Sequence, residues 1–282
     1  MRAPKKYCVS SGLTCGIVLY MSWASQRQFN ILSIMGIILL GVFVVILIPL
    51  VNKKPTCFDT KKNGTEFGVD CGGECSLQCK EFTQDPVIKW QRSYEIVPGF
   101  YNAVAYIENQ NFQAGVKEVA YKFKLYDQNR VLIVEKSGST FIEPNKGMVV
   151  FEQQIPVGNT IPTYTTFELQ EAVSWHKTDT RYDDMVIEVS EQLFNTDDIK
   201  PRFSAMLRNA SQVFSISKID VYVLAYDAEG NVVQVGKTVI PKLNPREKKQ
   251  IFIVWQKVFE TTPVRFEVIS RYNPFTQEYP KK

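Results

Sequence analysis

Histidine is all but missing from this chain: His176 is the only one among 282 residues. Imidazole is the usual general base near neutral pH and the commonest metal ligand, so a hydrolytic triad or a histidine-rich metal centre has no material here. Cysteine is confined: all six lie before residue 80, and none follows Cys79. Charge of one sign is scarce as well. Thirty-three basic and 29 acidic residues leave a net charge of +4, with Lys and Arg scattered along the chain, which argues against nucleic acid as a partner. No long helical periodicity occurs after residue 51, and no nucleophile, base and orienting group share a recognisable spacing. These absences point away from an enzyme.

What is present begins with an apolar run. Ile31 to Val51, ILSIMGIILLGVFVVILIPLV, is 21 residues without a charge, which at about 1.5 Å rise per residue matches a bilayer core of roughly 30 Å. The length predicts a transmembrane helix over 31–52. A cleaved signal peptide has a shorter apolar core and a small-residue cleavage site, whereas this run exits through Pro49, Leu50, Val51, Asn52, Lys53 and Lys54. Basic residues do not set the orientation, since Arg2, Lys5, Lys6 and Arg27 before the run balance Lys53, Lys54, Lys61 and Lys62 after it. Residues 1–30 read as a cytoplasmic or interfacial segment. Within them Tyr7 to Ala24 is a weaker apolar stretch holding Cys8 and Cys15, broken by Ser10, Ser11, Gly12 and Thr14. It reads as interfacial or as an extension upstream of Met21, with a second span as the alternative.

Directly after the apolar run, Cys57, Cys71, Cys75 and Cys79 fall within 23 residues. Four cysteines allow three disulfide pairings or one four-thiolate zinc site, and the sequence leaves the pairing open. Zinc sites favour a two-residue gap within each ligand pair. Here the gaps are thirteen, three and three, so a disulfide-stapled stalk over 55–80 is the reading, with zinc as the rival. Disulfides require an oxidising compartment and would put everything downstream outside the cytoplasmic membrane. The pattern Cys57, Asp59, Asn63, Gly64, Glu66, Asp70, Cys71, Gly72, Gly73, Cys75, Cys79 resembles a short Cys-rich module, with an Asp-Cys-Gly-Gly core, of bacterial cell-surface proteins. It departs at Thr65, where that module has a second acidic residue. Asp59, Asn63, Glu66 and Asp70 offer oxygen ligands for calcium, and equally are what tight turns require.

The remaining chain repeats itself. Val119 to Asp127 lies over Ile219 to Asp227 at an offset of 100, which pairs Tyr126-Asp127 with Tyr226-Asp227 and Asn109 with Asn209. With one residue inserted, Glu143-Pro144-Asn145-Lys146 meets Asn244-Pro245-Arg246-Glu247 and Phe151 meets Phe252. Val119, Tyr121, Phe123 and Leu125 alternate with Lys122 and Lys124, the period of a half-buried strand. Turns at 127–130 and 227–231 each lead into a β-branched run, a hairpin signature. The fold class is therefore mainly β: one transmembrane helix, a small Cys-rich segment, and two tandem immunoglobulin-like β-sandwiches of about seven strands over 84–177 and 184–273. Lys177 to Asp184 reads as the linker and 274–282 as a disordered tail.

Phe123-Lys124-Leu125-Tyr126-Asp127 reads F-x-L-Y-D, and so resembles the FxLYD family of small envelope-associated sandwich domains; the second copy keeps only Tyr226-Asp227. The resemblance implies a fold and an envelope location, and brings no catalytic residue. Phe123, Leu125, Tyr126, Asp127, Tyr226 and Asp227 are accordingly structural, the Tyr-Asp pair packing and capping a turn. Asp183-Asp184 and Asp197-Asp198 are neighbours that point apart and read as solvated charge, and His176 reads as a surface or capping side chain. Arg246, Lys248 and Lys249 sit in a turn where they could touch anionic polymer. The expectation is a single-pass, N-in membrane protein with extracytoplasmic sandwiches that bind an envelope protein or cell-wall polymer, without catalysis and without a cofactor other than calcium. The rival is a zinc-binding, membrane-attached sensor with cytoplasmic sandwiches.

Overall fold

The computed structural model describes residues 23–51, 55–170, 174–195 and 200–279. Most of the N-terminal apolar stretch, along with Asp197-Asp198 and the final residues 280–282, lies outside them. The chain divides into two compact units, Met1–Thr56 and Cys57–Lys282.

In the first unit, helix α1 runs from Trp23 to Val51, starting eight residues before the apolar run. Ala24, Gln26, Arg27 and Gln28 are good helix formers, so the backbone stays helical where hydropathy has already fallen. Arg27 lies one turn after Trp23, its guanidinium 4.8 Å from the indole. The apolar stretch Ser25–Ile48 has mean hydropathy 3.2 and none of it is buried, so one N-terminal helix is long and apolar enough to cross a membrane.

In the second unit the Cys-rich segment ends in a short strand, β1 (Leu77–Gln78). Six strands then build the first sandwich. β2 (Val87–Val97), β3 (Phe100–Asn109) and β6 (Lys146–Pro156) form one sheet in the order β2-β3-β6; β4 (Ala114–Tyr126) sits between β5 (Leu132–Ile142) and β7 (Tyr164–Leu169) in the other. A short β8 (Trp175–Lys177) pairs with both the start of β4 and β1. The second sandwich repeats the plan. β9 (Ile187–Asn195), β10 (Arg202–Asn209) and β13 (Lys248–Val254) form the sheet β13-β10-β9, and β11 (Ile216–Tyr226), β12 (Val232–Leu243) and β14 (Arg265–Arg271) form β12-β11-β14. Each copy thus has six main strands where about seven are expected. The turns Glu143–Asn145 and Asn244–Glu247 join β5 to β6 and β12 to β13 directly, and leave no chain for a further strand there.

Alternation decides what is inside. Phe123 and Leu125 have no exposure and lie in the first core with Ile107, Ile142 and Met148; Phe203, Leu207, Ile219 and Val223 occupy the equivalent places in the second. A third apolar layer lies between the sandwiches. Val104, Val149 and Phe151, on the outward face of β3 and β6, pack against Tyr222, Leu224 and Val235 on the outward face of β11 and β12. Four sheets are therefore stacked with three apolar layers between them.

Two elements differ from expectation. The Cys-rich segment does not stand apart as a stalk, because β1 pairs with β8 and the Asn111 amide exchanges hydrogen bonds with the Gln84 backbone at 2.8 and 2.7 Å. The C-terminal segment is not a loose tail either. Asn273 Nδ2 donates to the Lys117 carbonyl in the first sandwich, and Gln277 is buried and bonds both backbone groups of Ser217 in the second. Phe275 and Tyr279 supply the packing that a polar-looking NPFTQEY string conceals.

Asn109 and Asn209 explain the repeat's most regular feature. Each is fully buried at the end of its second strand. Asn109 Nδ2 donates to the carbonyls of Ala114 and Glu143, while Asn209 Nδ2 donates to those of Phe214, Leu243 and Asn244. One side chain thereby satisfies carbonyls in two separate turns that no strand partner reaches. Replacing Asn209 with Leu leaves those acceptors buried and unpaired, and is expected to lower unfolding free energy by about 2–3 kcal/mol in urea denaturation; an unchanged midpoint would show that the turns hold without it.

Candidate functional site

The four cysteines pair as Cys57–Cys75 and Cys71–Cys79, a crossed arrangement of 18- and 8-residue separations. Each bridge contributes roughly 2–4 kcal/mol by restricting the unfolded chain. Packing around the sulfurs leaves no room for side chains at the glycines: a Cβ at Gly68 would lie 2.7 Å from Cys71 Sγ, and one at Gly73, which has φ +55°, would lie 1.9 Å from the Thr65 carbonyl. Asp70 accepts from the backbone N–H groups of Asp59 and Thr60, Asp59 from that of Lys61 and from the Asn63 amide, and Glu66 from those of Asn63 and Asp70. The four calcium candidates thus act on one another's backbone as turn acceptors. Among the described residues, the one group of three potential ligands within 4.8 Å is Cys57, Glu66 and Cys75. Its two cysteines are joined to each other, so they offer no thiolate to zinc.

The Tyr-Asp pairs end β4 and β11. Asp127 Oδ1 accepts from the N–H groups of Asn129 and Val131 at 2.8 Å each, and Asp227 Oδ1 from Asn231 at 2.7 Å. The rings lie outside the cores: Tyr126 packs near Tyr164, and Tyr226 donates to Glu267 at 2.6 Å beneath the Arg265 guanidinium. These residues shape turns in both copies.

The chemistry with most at stake lies where the sandwiches meet. Glu143, from the β5–β6 turn, and Arg271, the last residue of β14, are 1% and 2% exposed at the side chain, with Nε 3.1 Å from Oε2. Arg271 also donates to the carbonyls of Val149 and Phe141, and its guanidinium lies 4.4 Å from the Phe141 ring. The other oxygen, Glu143 Oε1, accepts from the Tyr182 hydroxyl at 2.7 Å, and the Lys146 ammonium sits 3.2 Å from that hydroxyl. Tyr272, the residue after Arg271, donates to the Met185 carbonyl. Burial, then the Glu143 carboxylate, holds the Tyr182 and Tyr272 phenols far above the ordinary range, so both remain donors at any physiological pH. Tyr182 belongs to a 3-10 turn over Thr180–Asp184. The stretch expected to be an open linker is therefore part of the joint, while Asp183 and Asp184 on it do face solvent.

Beside this node is a cavity of about 400 Å³ lined by Tyr182, Met185, Ile187, Val189, Val268 and Tyr272, with Phe112 at its rim. On the opposite side the seam between the sandwiches forms clefts of about 240 and 470 Å³. They are crossed by a Lys257–Glu95 ion pair at 2.7 Å and by the Tyr94 hydroxyl donating to the Val232 carbonyl at 3.0 Å. Apolar walls with a few amides and paired charges can hold an uncharged or extended ligand; they offer no activated nucleophile.

No family model and no curated protein matches this sequence. Among solved structures, a transglutaminase from red sea bream aligns over 68% of this chain and 30% of its own, at 8% identity and a TM-score of 0.24. Those values are too low to carry an argument.

Glu143 and Arg271 were not legible as a pair. Glu143 reads as a turn residue, and Arg271 as the polar position of an alternating strand. The one available signal is that Glu143 aligns with Asn244 in the second copy, a place where the repeat departs from itself.

Two outcomes test this region. Arg271→Met is expected to cost about 3–5 kcal/mol, because it strands a buried carboxylate, and adding Glu143→Gln should restore part of that loss in a double-mutant cycle; strictly additive losses would show the two are uncoupled. His176 packs edge-on against Phe275 at 5.8 Å, its Nδ1 is buried without a partner, and burial followed by the Lys117 charge lowers its pKa below 6.5. The unfolded chain therefore binds the proton more readily, so stability falls as pH drops below the unfolded value of about 6.5. Against the wild type, His176→Gln should lose less stability between neutral pH and pH 5; parallel curves would sink the assignment.

Proposed function

We propose that this chain is a single-pass, membrane-anchored envelope protein that presents its paired sandwiches outside the cytoplasmic membrane and acts by binding, without catalysis. The crossed disulfides carry the reading. Both bridges require an oxidising compartment to persist, and they follow within a few residues an uncharged helix long enough to span a bilayer. An apolar helix of that length acting as an anchor places the N-terminus in the cytoplasm and the sandwiches opposite. The F-x-L-Y-D pentapeptide on β4 supports the same location by resemblance. Partners fitting the surface are an envelope protein or a cell-wall polymer, met through sheet faces and edges that are already rigid before contact.

Protease treatment of intact cells tests the placement. Residues 57–282 should be digested or released without lysis, and thiol labelling under denaturing conditions should find Cys57, Cys71, Cys75 and Cys79 only after reduction. Protection of the sandwiches until cells are opened, or four freely labelled thiols, would overturn it.

A further inference from the structure

The two copies join through one kind of contact, and each leaves one face over. The contact places the outward face of β2-β3-β6 in copy one on the outward face of β12-β11-β14 in copy two. Copy one therefore still has its outward β5-β4-β7 face, and copy two its outward β13-β10-β9 face. Strand register compares each free face with its buried equivalent.

On the free face of copy one, Lys122 stands opposite Glu168 and Lys124 opposite Glu135. Those four places in copy two are Tyr222 opposite Ile269 and Leu224 opposite Val235, all belonging to the buried layer. In copy one the same lattice points are charged and cross-paired, Lys122 with Glu135 at 2.8 Å and Lys124 with Glu168 at 2.7 Å. Covering this checkerboard with an apolar sheet would strand its charges, so copy one closes the stack.

The free face of copy two is different. Ser204 has Leu193 and Phe252 directly opposite on its two sides, and Val254 lies one step along beside Arg202. Leu193, Phe252 and Val254 are 67%, 53% and 42% exposed. Phe252 is the counterpart of Phe151, which in the internal contact meets the Tyr222 ring edge-on at 6.0 Å. β13 pairs with β10 over seven residues with no bulge, so the face has the flatness that sheet-on-sheet packing needs. Ser204 and Gln250 replace Val104 and Val149, making it a more polar version of the buried surface, as befits an interface that must also exist uncovered.

We propose that this outward β13-β10-β9 face is the molecule's docking surface, and that its partner is a β-sandwich domain of another polypeptide presenting an apolar sheet face of the kind β12-β11-β14 presents inside this chain. A second copy of this chain is the wrong partner for that contact, because the only such face it leaves free is the charged one. The inference rests on the binding function proposed above and names the surface that performs it.

The probe is this chain itself with its closing face converted. Full-length protein carrying Lys122→Tyr, Lys124→Leu, Glu135→Val and Glu168→Ile, in detergent micelles, should bind immobilised full-length wild type head to tail. Phe252→Asp in the wild-type partner should weaken that binding by about tenfold or more, as loss of a central aromatic anchor does. Leu193→Glu should act alike, and the thermal transitions of both variants check that each is folded. No association of a folded quadruple variant, or association indifferent to Phe252→Asp and Leu193→Glu, would overturn the proposal. A photoreactive residue at position 252 of the full chain in native membranes should crosslink a different polypeptide containing a β-sandwich, whereas one at position 122 should not. A crosslink from position 252 to a second copy or to glycan would reject the named partner while leaving the protease result untouched.

Discussion

Glu143 and Arg271 carry full charges into a place almost without water, and that can persist only if every remaining donor and acceptor around them is met. Arg271 is held by one carboxylate and two carbonyls, Glu143 by the guanidinium and a phenol. A buried pair of this kind adds little net stability over an apolar replacement, and what it can supply is a unique arrangement. Sliding one sandwich by a residue along the other would leave a bare charge inside, whereas the apolar layer of Val104, Val149, Phe151, Tyr222, Leu224 and Val235 would tolerate such a slip far better. Burial brings the sheets together; the ion pair decides where they stop.

That division of labour explains how two copies of one fold have come to differ. Their interiors are nearly interchangeable, since Asn109 and Asn209, the Tyr-Asp turns and the core alternation do the same work in each. Their outward faces are not. At equivalent lattice points one copy has lysine and glutamate and the other tyrosine, leucine, valine and isoleucine, so association in the wrong order is blocked by charge that would have to be desolvated.

Much of this was readable beforehand. The apolar helix, the strand alternation, the repeat offset and the turn-forming role of the Asp residues follow from short-range rules, and the structure bears out a mainly β chain with one N-terminal apolar helix and disulfides in its Cys-rich segment. What was not readable depends on contacts distant in sequence. Leu77 meets His176 across about a hundred residues, Asn273 reaches back to Lys117, and Tyr182 enters the joint from a stretch whose composition suggests solvent. The crossed disulfide pairing is of the same kind, because three connectivities satisfy the same spacing. Faces could have been compared once the repeat was aligned, but deciding which face is covered requires the register that only the folded sheets supply.

The crossed bridges also determine how a pull would travel. Tension arriving along the backbone from the N-terminal side meets Cys57 and passes through sulfur to Cys75, two residues before β1 grips β8. The intervening loop is short-circuited and stays slack-free. Opening that one bridge would release 18 residues of separation, up to about 60 Å of extended chain, so the redox state of a single sulfur pair governs how far the sandwiches can be reached from their tether.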